Sequence, residues 1–176
     1  WSDIKFTVTV PDRELRPGMP VVAQMGNGRF IMVYEIVGKP CCDIYYKLSD
    51  DGVDWGDPLW EGKRVETPDG LFLGSMPYVI WVPQGGKNGT VIVTAKREGE
   101  HIGMRDPGYY HVNYKNGEGD WHRIPMLITY NTDTLQAGWS MGMARIREDT
   151  LIQLAPTPMN KRLMQITYGI GKLETV

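Results

Sequence analysis

Long hydrophobic runs are missing from this sequence of 176 residues. The longest, such as Val79 to Val82 and Val91 to Ala95, fall far short of the roughly 20 residues that a membrane-spanning helix needs. Cysteine is nearly absent: Cys41 and Cys42 are the only two, and they are neighbours. That excludes a disulfide framework and leaves either a vicinal disulfide or two thiols. Neither sign of charge dominates. With 23% charged residues and a formal net charge of −2, no basic surface for nucleic acid is advertised. HExxH, CxxC, P-loop and GxGxxG patterns do not occur, and no serine sits in a nucleophile elbow. Neither a metal nor a nucleotide cofactor is expected.

Helical periodicity is lacking too, since no segment holds it for three turns. Strand-length apolar or alternating runs are there instead: Lys5 to Val10, Val21 to Met25, Phe30 to Tyr34, Asp43 to Leu48, Tyr78 to Val82, Thr90 to Ala95, Tyr109 to Tyr114, Thr150 to Leu154 and Leu163 to Tyr168. Hairpin signals separate them, namely Gly26-Asn27-Gly28, Asp51-Gly52, Lys87-Asn88-Gly89 and Asn116-Gly117. With 21 Gly and 12 Pro as punctuation, the chain reads as all-β.

The chain also repeats itself. Pro17-Gly18-Met19-Pro20 precedes a strand, a Gly-rich turn and a second strand; Gly74-Ser75-Met76-Pro77 does the same, and Met141-Gly142-Met143-Ala144 does so more weakly. Met19, Met76 and Met143 are spaced by 57 and 67 residues, roughly one four-stranded propeller blade. A third strand ending in a turn and a tryptophan recurs with them, at Trp55 and again 66 residues on at Trp121. Blades are expected at about residues 11–70, 71–135 and 136–176, with a strand at 4–10 before the first.

Ser49-Asp50-Asp51-Gly52-Val53-Asp54-Trp55 reads S-x-D-G-x-x-W and resembles the Asp-box, or BNR repeat, of sialidase-like propellers, one residue tighter than the usual form. The turn chemistry fits: Ser and Asp satisfy backbone donors, Gly supplies a positive φ, and Trp wedges between sheets. Three blades cannot close a ring, because propellers use about four to eight. The resemblance therefore implies half of a six-bladed propeller, completed either by a missing N-terminal half or by a second copy in a homodimer.

In such a blade the first strand starts, and the second ends, on the ligand rim. Glu35 ends the run Phe30 to Glu35 and is the candidate nucleophile or acid/base; its other reading is an ion pair with Arg16 or Lys39. Glycosidases pair two carboxyl groups roughly 5 Å apart for retention, or 6.5–9.5 Å for inversion. The second is sought among Glu14, Glu98, Glu100 and Asp106, or in the absent blades. Tyr34, Tyr78, Trp81, Tyr109 and Trp139 could stack on sugar rings or pack between blades. His101 shares a loop with Glu98, Glu100 and Arg105, and an oxidised Cys41-Cys42 pair would give an apolar platform.

Leu15 to Pro20, continuing through Gly28 to Tyr34-Glu35, resembles a blade opening in family 93 glycoside hydrolases, the six-bladed exo-arabinanases. It is similar, more loosely, to the R-I-P start of sialidase blades, in which an arginine binds the substrate carboxylate. The resemblance implies a catalytic role for Glu35 and substrate binding by Arg16, with Tyr34, Arg97, His101 and Arg105 as further binding candidates. An oligosaccharide or polysaccharide is the expected partner. The alternative is a propeller that binds sugar or assembles with a partner without catalysis. The sequon Asn88-Gly89-Thr90 leans toward export.

Overall fold

The computed structural model describes residues 3–38, 42–74, 76–95, 109–127, 142–160 and 163–173. Among these the chain is all-β, with antiparallel sheets and no helix. Strands β1 (Arg16–Gln24), β2 (Phe30–Val37), β3 (Asp43–Ser49) and β4 (Lys63–Arg64) form the first sheet in that order. The second is β5 (Tyr78–Val82), β6 (Thr90–Thr94), β7 (Tyr109–Asn113) and β8 (His122–Pro125), again in sequence order. In the third, β10 (Thr150–Asn160) lies between β9 (Gly142–Arg147) and β11 (Leu163–Lys172). Strand β5 touches β1 on one side and β9 on the other, so the first strands of the three sheets stand side by side.

The central strands are the apolar ones, because both of their faces are covered. In Phe30–Val37 the six middle residues are buried, and in Thr90–Thr94 all five are. Such strands read as continuous hydrophobic runs. Strand β1 starts five residues before the run at Val21, taking in Pro17 and Pro20. As the edge of its sheet it can carry prolines, which lack a ladder donor. Pro17 stays in register opposite Ile36, while a bulge between Gly18 and Val21 absorbs Pro20, and there Met19 turns to φ +49. Met76 of the second Met-Pro adopts φ +51, so the repeat marks the same backbone device twice.

Ile31, Val33, Ile44 and Tyr46 of the first sheet interlock with Val79, Val91, Val93 and Trp121 of the second. Tyr46 meets the Trp121 ring edge-on at 5.4 Å and donates to Gly117 O at 2.9 Å. The two tryptophan turns are held differently. Ser49 Oγ accepts from Gly52 N, and Asp51 Oδ1 accepts from Val53 N and Asp54 N. In the second copy Asn113 serves alone: its oxygen accepts from Lys115 N and Gly117 N, while its amide donates to Glu118 O and Asp120 O.

Residues Lys5 to Val10, expected as a strand, form an extended segment without a ladder. No strand among the described residues pairs with them, and Thr9 N donates to Pro58 O at 2.6 Å. Val8 and Val10 instead pack on the outer face of the first sheet with Tyr34, Ile36 and Trp55. Lys47, buried in that face, pins the segment by donating to Thr7 O at 2.9 Å and Asp57 O at 2.7 Å. Burial pulls its pKa below the usual lysine value, against the opposing effect of Asp57.

The second and third sheets join through Val82, Ile92, Val112, Met143 and Leu151. Across that seam Tyr110 OH donates to Gln153 Oε1 at 2.6 Å. Burial pushes the Tyr110 phenol up to about 12, with a donor from Leu127 N acting the other way. A raised folded-state pKa gives stability that is complete below the unfolded value near 10 and is lost as pH climbs through about 12. Tyr110→Phe should lower the free energy of unfolding at neutral pH by about 1–2 kcal/mol for the lost hydrogen bond to Gln153. Urea titrations from pH 8 upward should also show a shallower alkaline decline than in the wild type.

Candidate active site

Alternation along β2 decides what each side chain near its end can reach. Glu35 lies opposite Gly18 of β1 and Ile44 of β3, on the face that carries Ile31 and Val33 toward the second sheet. It is only 5% exposed. Its Oε2 accepts from the backbone N–H of Met76 at 2.9 Å, where the chain enters β5. A left-handed turn at Met76 aims that amide at the first sheet. An N–H donor of this kind fixes the rotamer of the carboxylate.

Gly18 explains how a second group comes close. A Cβ at that position would stand 3.1 Å from Arg16 Nη1 and 3.2 Å from Glu35 Oε1. The guanidinium and the carboxylate thus converge over one bare stretch of backbone. Arg16 is exposed and opens β1 opposite Val37, so it stands on the rim where β2 ends. A buried carboxylate beside an accessible cation can orient a polar ligand and exchange a proton with it.

Tyr34 points the other way. Its ring is buried, stacks with Tyr45 at 6.4 Å and donates its hydroxyl to Glu61 O. Burial and the Glu61 carboxylate raise its pKa well above the usual phenol value. The structure gives this side chain a packing position on the face opposite Glu35. Trp81, expected near the ligand rim, is at the far end of β5, where its indole donates to Asn88 O and packs against Gly26. Cys42 is half-buried at φ +71. Arg97, His101, Arg105, Glu98, Glu100, Asp106, Lys39, Cys41 and Trp139 lie outside the described residues.

Sequence reasoning missed Asp43, which is 2% exposed where β3 begins. It lies opposite Ile36, one rung beyond Glu35, and so on the opposite face. Arg64 Nη1 holds its Oδ2 at 3.2 Å and also grips Glu66 at 2.8 Å; Asp43 Oδ1 has no hydrogen-bond partner. It was read only as the start of the strand-length run Asp43 to Leu48, with no role for its carboxylate. The Met76 amide was missed for another reason, since a backbone donor has no letter of its own.

No protein-family profile and no curated protein matches this sequence. Solved structures do. The α-L-arabinanase of Penicillium chrysogenum, complexed with arabinobiose, is 27% identical with a TM-score of 0.73, over 95% of this chain and 44% of that one. The GH93 α-L-arabinofuranosidase of Fusarium graminearum with arabinobiose is 24% identical with a TM-score of 0.74, over 98% and 47%. A glutamate-to-alanine mutant of the latter, with an iminosugar inhibitor, is 25% identical with a TM-score of 0.69. The chain thus shares its fold with arabinan-acting glycoside hydrolases, and it spans less than half the length of each.

Gly18→Ala tests the convergence. The added methyl meets side-chain ends that can move by a few tenths of an ångström, so stability should change by no more than about 1 kcal/mol. The Glu35 carboxyl resonance, followed by carbon NMR, should shift clearly. An unmoved resonance would mean that Gly18 does not set the position of Glu35.

Proposed function

We propose that this chain is the three-blade half of a six-bladed exo-acting glycoside hydrolase whose substrate is an arabinan-type glycan, with Glu35 as a catalytic carboxyl and Arg16 as a binding residue. The observation that carries this reading is the buried Glu35 at the strand-end rim, aligned by the Met76 amide and flanked by Arg16. It occurs in a chain similar over 95% of its length to an arabinanase holding arabinobiose. The blades follow the repeat at about residues 11–70, 71–135 and 136–176, with the Asp-box-like turn at Ser49 to Trp55 on the rim away from substrate. Arg97, His101 and Arg105 extend the binding surface, and export fits the sequon at Asn88.

Hydrolysis by this route needs a second carboxyl. One group protonates the leaving oxygen while the other attacks the anomeric carbon or activates water. Asp43 does not serve, because it faces away from Glu35 and is committed to Arg64. The partner carboxyl is then Glu14, Glu98, Glu100 or Asp106, or belongs to the other half of the ring.

The test is release of arabinose or arabino-oligosaccharides from arabinan by the purified protein. Glu35→Gln keeps the size and the Met76 contact and should lower kcat by about 10²–10⁴. Arg16→Ala should raise KM by about tenfold with a smaller effect on kcat. Release unchanged in Glu35→Gln would remove Glu35 from the mechanism. Binding of arabinobiose without any release would instead make the protein a sugar-binding propeller.

A further inference from the structure

Between β4 and β5 the chain turns back on itself in a small hairpin. Glu66 pairs with Phe72, Thr67 N donates to Leu71 O, and Gly70 N donates to Thr67 O, both at 2.9 Å. The hairpin straddles the seam between the first two sheets. On the second-sheet side Arg123 of β8 stands 3.6 Å from Asp69, and His111 Nε2 of β7 lies 3.4 Å from Leu71 O.

On the first-sheet side the contacts converge on Arg64. Its Nη1 donates to Asp43 Oδ2 at 3.2 Å, and its Nε and Nη2 donate to Glu66 Oε2 at 2.9 and 2.8 Å. The guanidinium also lies 4.5 Å from the centre of the Phe72 ring. Edge and face of one planar group are thus both in use, a geometry that a lysine ammonium does not reproduce.

What these contacts hold is the approach of the chain to Met76. Asp43 pairs with Gly74, and Ile44 N donates to Leu73 O at 3.0 Å, so residues 72–74 run beside the start of β3. Two residues beyond Gly74, the Met76 amide reaches Glu35. Arg64 fastens this stretch at both ends, through the Phe72 ring and through the carboxylate of the residue that pairs with Gly74. Its influence on Glu35 is indirect, since Asp43 faces the other way.

We infer that Arg64 is a positioning residue for Glu35, acting through Asp43, Phe72 and the Met76 amide. Without the guanidinium, the Asp43 carboxylate is buried with neither oxygen bonded, because Oδ1 already has no partner. The stretch before Met76 then loses its polar anchor, and the amide is no longer delivered to Glu35 in a single orientation. A misplacement of about 1 Å at a reacting group costs about a hundredfold in rate. The inference rests on the catalytic reading of Glu35 given above.

The decisive measurement is the Glu35 carboxyl carbon resonance, assigned by its loss in Glu35→Gln, in Arg64→Met. That variant strands a buried carboxylate, which strains the fold, so the double variant Arg64→Met with Asp43→Asn, free of both charges, is run beside it. Both should keep the wild-type β-sheet circular dichroism and shift the resonance. On arabinan, kcat should fall by about tenfold or more with KM within about twofold, and Arg64→Lys should fall between. In a Glu35→Gln background, Arg64→Met should slow the residual rate by no more than about twofold. An unmoved resonance, an unchanged kcat in a hydrolysing protein, or unfolding of the charge-free double variant overturns the proposal. The two readings fail separately: if the wild type releases no sugar, or Glu35→Gln does not slow release, the catalytic reading falls and the resonance alone decides what Arg64 does.

Discussion

The separation between β1 and β5 is set by the apolar core between the first two sheets, and the geometry at the rim follows from it. Ile31 and Val33 lie on the same face of β2 as Glu35 and interdigitate with Val79, Val91 and Val93. Glu35 therefore arrives at the end of a packed row instead of in a loop. The same stacking brings Met76 N–H within 2.9 Å of its carboxylate. Dense apolar packing tolerates little sliding, and that stiffness turns a single backbone amide into a reliable positioning device. Tyr46, wedged on Trp121 and bonded to Gly117 O, locks the far end of the seam.

Buried polar groups fix the remaining relations between elements. Lys47 spends its hydrogens on two carbonyls from separate parts of the chain, which ties the N-terminal segment to the outer face of the first sheet. Tyr110 and Gln153 do the same across the second seam. A purely apolar contact would allow several registers of one sheet on another; a satisfied polar pair allows far fewer. The Arg64 bridge to Asp43 and Glu66 belongs with them, since it keeps a buried carboxylate compatible with a strand start.

Much of the architecture was legible in the residues because covered strands announce themselves. Phe30 to Val37 and Thr90 to Thr94 are apolar on both faces, and hairpin glycines fall between the strands. The Met-Pro repeat located the inner strands, although its meaning lay in the left-handed backbone of Met19 and Met76, which composition cannot express. Strands β4 and β8 were illegible: they are short outer strands with polar sequence, and pairing alone defines them. The segment at Lys5 to Val10 shows the reverse error. Its pattern is that of a strand, but a pattern cannot supply a neighbour. Near the rim, the position of Glu35 toward the end of its strand was readable, whereas Arg16, expected ahead of the first strand, opens it. Tyr34 was not readable, because one step along β2 reverses the side to which a residue points.

The bond from Met76 to Glu35 crosses between two sheets, so the carboxylate is oriented by an element to which it does not belong. Any small parting of the first two sheets, by heat, denaturant or a cavity in the shared core, would release the carboxylate while each sheet kept its own ladder. The rim would then lose its order before the strands lost theirs, making Glu35 an internal gauge of how firmly neighbouring sheets are docked.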